Sequence, residues 1–100
     1  MSRHKSIHVT GDDGTVDVVH QKLSKGQNEQ AIWHSDTGKR SIIYFNSADG
    51  SPFQETEFHV PAGGDVTSGP MKPGLPLHKH FKYTVVGTQG TQDPVIIIDN

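Results

Sequence analysis

Residues 80–87 read HFKYTVVG, and this stretch decides the fold class that the sequence predicts. Phe81, Tyr83 and Val85 alternate with polar residues, which is the period of a β-strand with one buried face. The aromatic face is expected to lie in a core, and the polar residues between these three are expected to point outward.

Similar β-branched and aromatic runs recur along the chain, separated by clusters of Gly, Pro, Asn and Asp. The polar segment 22–30 is predicted to be a loop, and no segment sustains the apolar period of a helix. We expect an all-β domain, a Greek-key sandwich or barrel of about eight strands. The predicted strands are 5–9, 15–21, 30–35, 41–46, 56–60, 65–69, 80–87 and 94–99.

The length of 100 residues corresponds to one small domain, so we expect a single domain over 1–100 with a frayed terminus at 1–4. Nine basic and eleven acidic residues are interspersed, without the basic stripe that nucleic-acid binding needs. No segment has the length of a membrane span, and the start lacks the apolar run of a signal peptide. We expect a soluble, cytoplasmic protein without nucleic-acid or membrane partners; a secreted or periplasmic chain whose leader was removed would have the same sequence.

The sequence contains no cysteine, which excludes disulfides, thiolate metal ligands and a cysteine nucleophile. It has no G-x-S-x-G turn, and GTQGTQ at 87–92 precedes a strand, whereas a phosphate-binding loop precedes a helix. Glu55 and Glu57 share a strand face, and we interpret them as solvated carboxylates. We therefore expect a protein that is not an enzyme.

A His-x-His pair, His78 and His80, is the candidate metal site, because residues i and i+2 of a strand share a face. A stable site needs a third ligand, and His59 or His34 could supply it. Lys82 follows in the same row and would repel a cation. The sequence thus predicts either exposed histidines or a Cu or Zn site at His78 and His80. A cupin site is excluded, because neither the glutamate nor the later histidine of that motif follows.

Two further features indicate binding surfaces. The run VIII at 95–98, from Val95 to Ile98, predicts burial on both faces, one in the core and the other under a loop or a second subunit. A protein partner or self-association is expected through this strand or a sheet edge. Four aromatic residues could stack on a carbohydrate or peptide: Trp33, Tyr44, Phe45 and Phe53. Trp33 and Phe45 are predicted to pack in the core instead, and Phe53, which follows a proline in a loop, could instead cover one end of the sandwich.

From residue 30 to 100 the order of elements resembles that of cupredoxin-like proteins, the Greek-key sandwiches related to plastocyanin and azurin. The resemblance is carried, in order, by AIWHSDTG, SIIYFNSADGSPF, TEFHVPAGGDVTSGPMKPG, HFKYTVVG and DPVIIID. It implies an eight-stranded sandwich for the whole domain.

A blue-copper protein of this layout would carry cysteine at Val85, and histidine and methionine at Thr88 and Asp93. Its remaining histidine would lie in the loop after the fourth strand, where NSADGSPF has none. Without the thiolate a type-1 copper site cannot form, so the resemblance implies the scaffold without its electron-transfer chemistry. We expect a binding or structural module without a cofactor; the alternative is a Cu or Zn protein that uses His78 and His80.

Overall fold

The computed structural model describes residues 3–10, 15–86 and 94–100, which form nine strands. No helix in these ranges is long and apolar enough to cross a membrane. The strands are β1 Arg3–Val9, β2 His20–Ser24, β3 Glu29–Ser35, β4 Ser41–Tyr44, β5 Glu57–Val60, β6 Asp65–Thr67, β7 His80–Lys82, β8 Thr84–Val86 and β9 Val95–Asp99.

The strands pair in three three-stranded sheets that form an all-β sandwich. In the first sheet β3 lies between β1, which is parallel to it, and β6, which is antiparallel. In the second, β9 lies between the parallel strand β2 and the antiparallel strand β7. In the third, β4 lies between β5 and β8, both antiparallel. Side chains from all three sheets share one core, which includes Ile7, Leu23, Trp33, Ile43, Phe58, Phe81, Val85 and Ile98.

Within 80–86, the part of this stretch that the structure describes, the predicted alternation is present, but the residues are divided between two sheets. Phe81, Tyr83 and Val85 are 2%, 3% and 4% exposed, so the prediction of a buried aromatic face is confirmed. Pairing with β9 ends at Tyr83, whose N–H donates to the carbonyl of Pro94 at 3.0 Å. β7 pairs with β9 and β8 with β4, so one predicted strand connects two sheets.

The prediction of a strand at 15–21 and a loop at 22–30 is wrong, because β2 begins at His20 and continues to Ser24. In this mostly polar strand one side chain, that of Leu23, is fully buried in the core, while its neighbours are exposed or half-buried. The carboxylate of Glu29, itself buried, accepts the N–H of Ser24 at 2.6 Å and so links the end of β2 to the start of β3, which lies in a different sheet. A polar segment can therefore pair as a strand when one apolar side chain reaches the core.

The other predicted strands are present, with bounds that differ by at most two residues. β1 begins at Arg3, so Arg3 and His4 lie in a strand where a frayed terminus at 1–4 was predicted; residues 1 and 2 lie outside the described ranges. The ladder that holds them is parallel, with Arg3 opposite Glu29 and His4 opposite Gln30.

Trp33 lies at the centre of the core. Both Trp33 and Phe45 are buried, which confirms the prediction that they are core residues. Its ring centroid lies 5.2 to 6.2 Å from those of Phe45, Phe53, Phe58 and Tyr83. Phe53 is fully buried, so it is not available to stack on a ligand, and Tyr44 alone among the four aromatic candidates is exposed.

The last strand, β9, is central in its sheet, and most of its apolar side chains are buried. Ile96 and Ile98 are fully buried in the core, Val95 is buried outside that cluster, and Ile97 is half-buried. β2 and β7 pair with the two backbone edges of this strand.

We expect Ile96→Ala to lower the free energy of unfolding by about 2–5 kcal/mol, because it removes buried apolar atoms and leaves a cavity. Ile97→Ala is the matched control on the other face of the same strand, where the side chain is half-buried, and we expect it to cost less than half as much. Urea unfolding measures both. Equal losses would contradict the assignment of the core face of β9.

We also expect an alkaline loss of stability that depends on Tyr83. Burial is the main cause that raises the pKa of Tyr83 far above its ordinary value of 10.0, and the nearby Trp33 indole offsets only part of that rise. Its hydroxyl has no hydrogen-bond partner among the described residues. The unfolded chain therefore loses this proton first, so the contribution of Tyr83 to stability is constant below about pH 10 and falls by about 1.4 kcal/mol per pH unit above it.

Urea unfolding at about pH 8 and about pH 11 tests this expectation. Tyr83→Phe should remove most of the alkaline loss, and Tyr44→Phe, at the exposed tyrosine, should leave it in place. The same loss in both variants would contradict the prediction.

Candidate metal centre

A row of polar side chains crosses the outward face of the first sheet. His8 of β1 lies opposite His34 of β3, and His34 lies opposite Asp65 of β6. Their sequence neighbours Ile7, Val9 and Trp33 point into the core. Because side chains alternate along a strand, burial of those neighbours places the two imidazoles side by side on the outer surface.

The carboxylate of Asp36 contacts both imidazoles. Its Oδ2 lies 3.0 Å from Nδ1 of His8, and its Oδ1 lies 3.2 Å from Nε2 of His34. The two rings are 5.2 Å apart in an edge-to-face arrangement. One ligand atom from each of these three residues lies within 4.8 Å of the other two. We call His8, His34 and Asp36 the HHD cluster.

The backbone fixes Asp36 at the end of β3. Its N–H donates to the carbonyl of Val9 at 2.9 Å, and the N–H of Ser35 donates to the carbonyl of Gly64 at 2.9 Å. The hydroxyl of Ser35 is buried beneath the following loop and donates to the carbonyl of Lys39 at 3.0 Å. These bonds continue the sheet past its last residue and hold the carboxylate beside the imidazoles.

His8 is held by its own backbone contacts to Asp17. The N–H of His8 donates to Oδ1 of Asp17 at 2.8 Å, and the N–H of Asp17 donates to the carbonyl of His8 at 3.0 Å. The adjacent residue, Val9, forms a bridge with Val16. The Asp17 carboxylate therefore satisfies a strand N–H and adds negative charge near the HHD cluster.

Two imidazole nitrogens and one carboxylate oxygen are ligands that suit zinc, copper, iron and nickel. Tetrahedral coordination with bonds of about 2.0–2.1 Å places ligand atoms about 3.3–3.4 Å apart. The nitrogen–oxygen distances of 3.0 and 3.2 Å are close to that separation. The three side chains are 36–42% exposed, so a fourth ligand position would face solvent.

The structure places the predicted pair, His78 and His80, differently from the sequence interpretation. β7 begins at His80, so His78 lies before the strand, with a φ of +67° and its N–H donated to the carbonyl of Ile98 at 2.6 Å. The alternation that placed both imidazoles on one strand face therefore does not apply to His78. Within the described residues the HHD cluster is the only group of three metal-ligating side chains, and it contains neither histidine.

The two proposed third ligands lie in different sheets. His59, on β5, points outward as expected, and its Nε2 lies 2.7 Å from Oε2 of Glu57 on the same strand face. His34 lies on β3 in the HHD cluster, with His8 and Asp36 as its neighbours. A role for His34 as a metal ligand stays a prediction, with different partners.

Sequence reasoning missed His8 and Asp36. In the sequence, His8 lies within the predicted strand 5–9, and Asp36 directly follows the predicted strand 30–35. The spacing His34-x-Asp36 was a readable local signal, because i and i+2 are close at a strand end. The partnership with His8 depends on parallel pairing between strands separated by a long stretch of sequence, and no local pattern encodes it.

No protein-family model matches the chain, and no curated protein matches it significantly. Among solved structures it is similar to a novel purple cupredoxin from Nitrosopumilus maritimus, with 10% sequence identity and a TM-score of 0.68. The match covers 94% of this chain and 98% of that one. The fold is cupredoxin-like. This result confirms the resemblance inferred from 30–100 and extends the similarity to almost the whole chain.

The residues of this cupredoxin-like domain do not fit a type-1 copper ion. The chain has no cysteine, and Val85, where the resemblance placed the thiolate, is an aliphatic core residue. Thr88 and Asp93, the other two positions, lie outside the described residues. Type-1 copper depends on the short copper–thiolate bond, which the HHD cluster of nitrogen and oxygen donors cannot supply.

Asp17→Ala tests how His8 is positioned. Without its carboxylate acceptor, the N–H of His8 should exchange with solvent about ten times faster, because hydrogen bonds to charged groups contribute about 1.5–3 kcal/mol, less where they are exposed. Amide hydrogen exchange by NMR measures the rate. Asp49→Ala, which removes the ion pair with Lys79, is the control and should leave this amide unchanged. Unchanged protection in Asp17→Ala would show that the carboxylate does not hold β1.

Proposed function

We propose that this cupredoxin-like domain is a non-enzymatic metal-binding module that holds one divalent transition-metal ion at His8, His34 and Asp36. The observation that carries the proposal is the single carboxylate in contact with two imidazoles, 3.0 Å from one and 3.2 Å from the other. The proposed role is binding of the ion, without the electron-transfer chemistry of type-1 copper.

The rigid backbone that carries the HHD cluster supports the proposal. His8 and His34 project from hydrogen-bonded strands, and Asp36 is fixed by backbone bonds at the end of one of them. Ligands on such elements lose little conformational freedom when a metal binds. Asp17 and Asp65 add negative charge close by, which attracts a cation.

The chemistry of the donors supports Cu²⁺ and Zn²⁺ as the ions. Imidazole is a poor ligand for calcium and magnesium, which prefer oxygen, and the cluster contains no thioether or thiolate to favour Cu⁺. Among divalent first-row metals Cu²⁺ binds such sites most tightly. The exposure of the three side chains supports binding over catalysis, because metal enzymes work in shaped cavities that exclude water.

Isothermal titration of chelator-treated protein with Zn²⁺ and Cu²⁺ tests the proposal. We expect one ion per chain. His8→Ala/His34→Ala should weaken binding by more than the roughly 10–100-fold that outer-sphere partners contribute, because it removes two ligands. His78→Ala/His80→Ala is the matched double variant, and it should bind like the wild type.

Two results would contradict this assignment. Equal affinity in the wild type and in His8→Ala/His34→Ala would exclude the HHD cluster. Loss of binding in His78→Ala/His80→Ala alone would assign the site to the histidine pair that the sequence predicted. Unfolding gives a second readout, since free metal at 100 times its Kd should raise the free energy of unfolding by about 2.7 kcal/mol.

A further inference from the structure

We infer that Asp65 is a positioning residue for the metal site, which holds the Nδ1–H of His34 and so directs its Nε2 to the metal. This inference rests on the proposed function and names the atoms through which each histidine binds. It assigns a role to a carboxylate that lies outside the HHD cluster.

The ring of His34 lies between two carboxylates. Its Nε2 is 3.2 Å from Oδ1 of Asp36, and its Nδ1 is 3.9 Å from Oδ2 of Asp65. The ladder between β3 and β6 places Asp65 directly opposite His34, so this proximity is set by strand register. The side chain of Asp65 is 58% exposed and can turn to shorten the contact to a hydrogen bond.

The position of Asp65 excludes it as a fourth ligand to the same ion. The two nitrogens of an imidazole point in different directions, so an ion at Nε2 is separated from Asp65 by the ring itself. A neutral imidazole carries one proton, and an acceptor at one nitrogen leaves the lone pair on the other. When Asp36 binds the ion, Asp65 is the carboxylate left to accept a proton from His34, so it favours the tautomer that carries the proton on Nδ1 and binds metal through Nε2.

His8 has the opposite arrangement, because its Nδ1 is the nitrogen that faces Asp36. The site therefore binds metal through Nδ1 of His8, Nε2 of His34 and a carboxylate oxygen of Asp36. The parallel pairing of β1 with β3 places the rings edge to face, which allows different nitrogens of the two rings to reach one carboxylate.

Two substitutions at Asp65 separate hydrogen bonding from charge. Asp65→Asn removes the negative charge but keeps a carbonyl oxygen that can accept the Nδ1–H, whereas Asp65→Ala removes both. We expect Asp65→Ala to raise the Kd for Zn²⁺ about 10-fold with the stoichiometry unchanged, and Asp65→Asn to raise it less. Asp49→Asn, which removes an exposed carboxylate paired with Lys79, is the control for net charge and should bind like the wild type.

The Co²⁺-loaded protein supplies a readout that a merely structural role would not change. A metal-bound imidazole whose other N–H is hydrogen-bonded gives a paramagnetically shifted proton resonance that exchanges slowly with water. We expect this resonance from the Nδ1–H of His34 in the wild type, and its loss through fast exchange in Asp65→Ala.

The outcomes distinguish the inference from the proposed function. A wild-type protein that binds no ion at the HHD cluster overturns both. The role of Asp65 alone is overturned if the wild type binds Zn²⁺ at the HHD cluster and the Asp65→Ala variant keeps the same affinity and the same slowly exchanging resonance. Equal weakening in Asp65→Ala and Asp65→Asn also overturns it, because charge alone would then explain the effect.

Discussion

The parallel pairing of β1 with β3 is the constraint on which both the core and the HHD cluster depend. The pairing brings Ile7 and Trp33 together on the inner face and His8 and His34 together on the outer face. Because side chains alternate, one register determines both arrangements, and a shift by one residue would exchange the inner and outer residues of β1. The hydrophobic gain from burying Ile7 beside Trp33 therefore also holds the two imidazoles in place.

The three sheets share a core around Trp33, and one continuous alternation, in 80–86, contributes side chains from two of them. Phe81 belongs to the sheet with β9, and Val85 to the sheet with β4, while Tyr83 lies at the crossing. Its ring packs against Trp33, but its hydroxyl is buried without a partner among the described residues. The core thus combines close aromatic contacts with a tyrosine hydroxyl whose pKa is raised by burial.

The fold was predictable from local patterns to a much greater extent than the site. Strand alternation predicted the inner face of 80–87, and the order of elements indicated the cupredoxin-like class, because both depend on residues close in sequence. The position of β2 was not predictable, since Leu23 is its one core residue in a polar run. The HHD cluster depends on a contact between strands that are distant in sequence, so the sequence selected His34 but not His8.

Because side chains alternate within β1 and β3, the residues that pack in the core and the residues that carry donor atoms on the outer surface are different residues of the same strands. Substitutions at His8 or His34 change the outer surface, whereas the inner residues that support them remain packed. Such a sheet face can acquire or lose ligands one residue at a time at little cost to the scaffold. The position where the resemblance placed a thiolate is occupied by Val85, a core residue, so in this chain the outward donor side chains and the interior of the sandwich are independently variable.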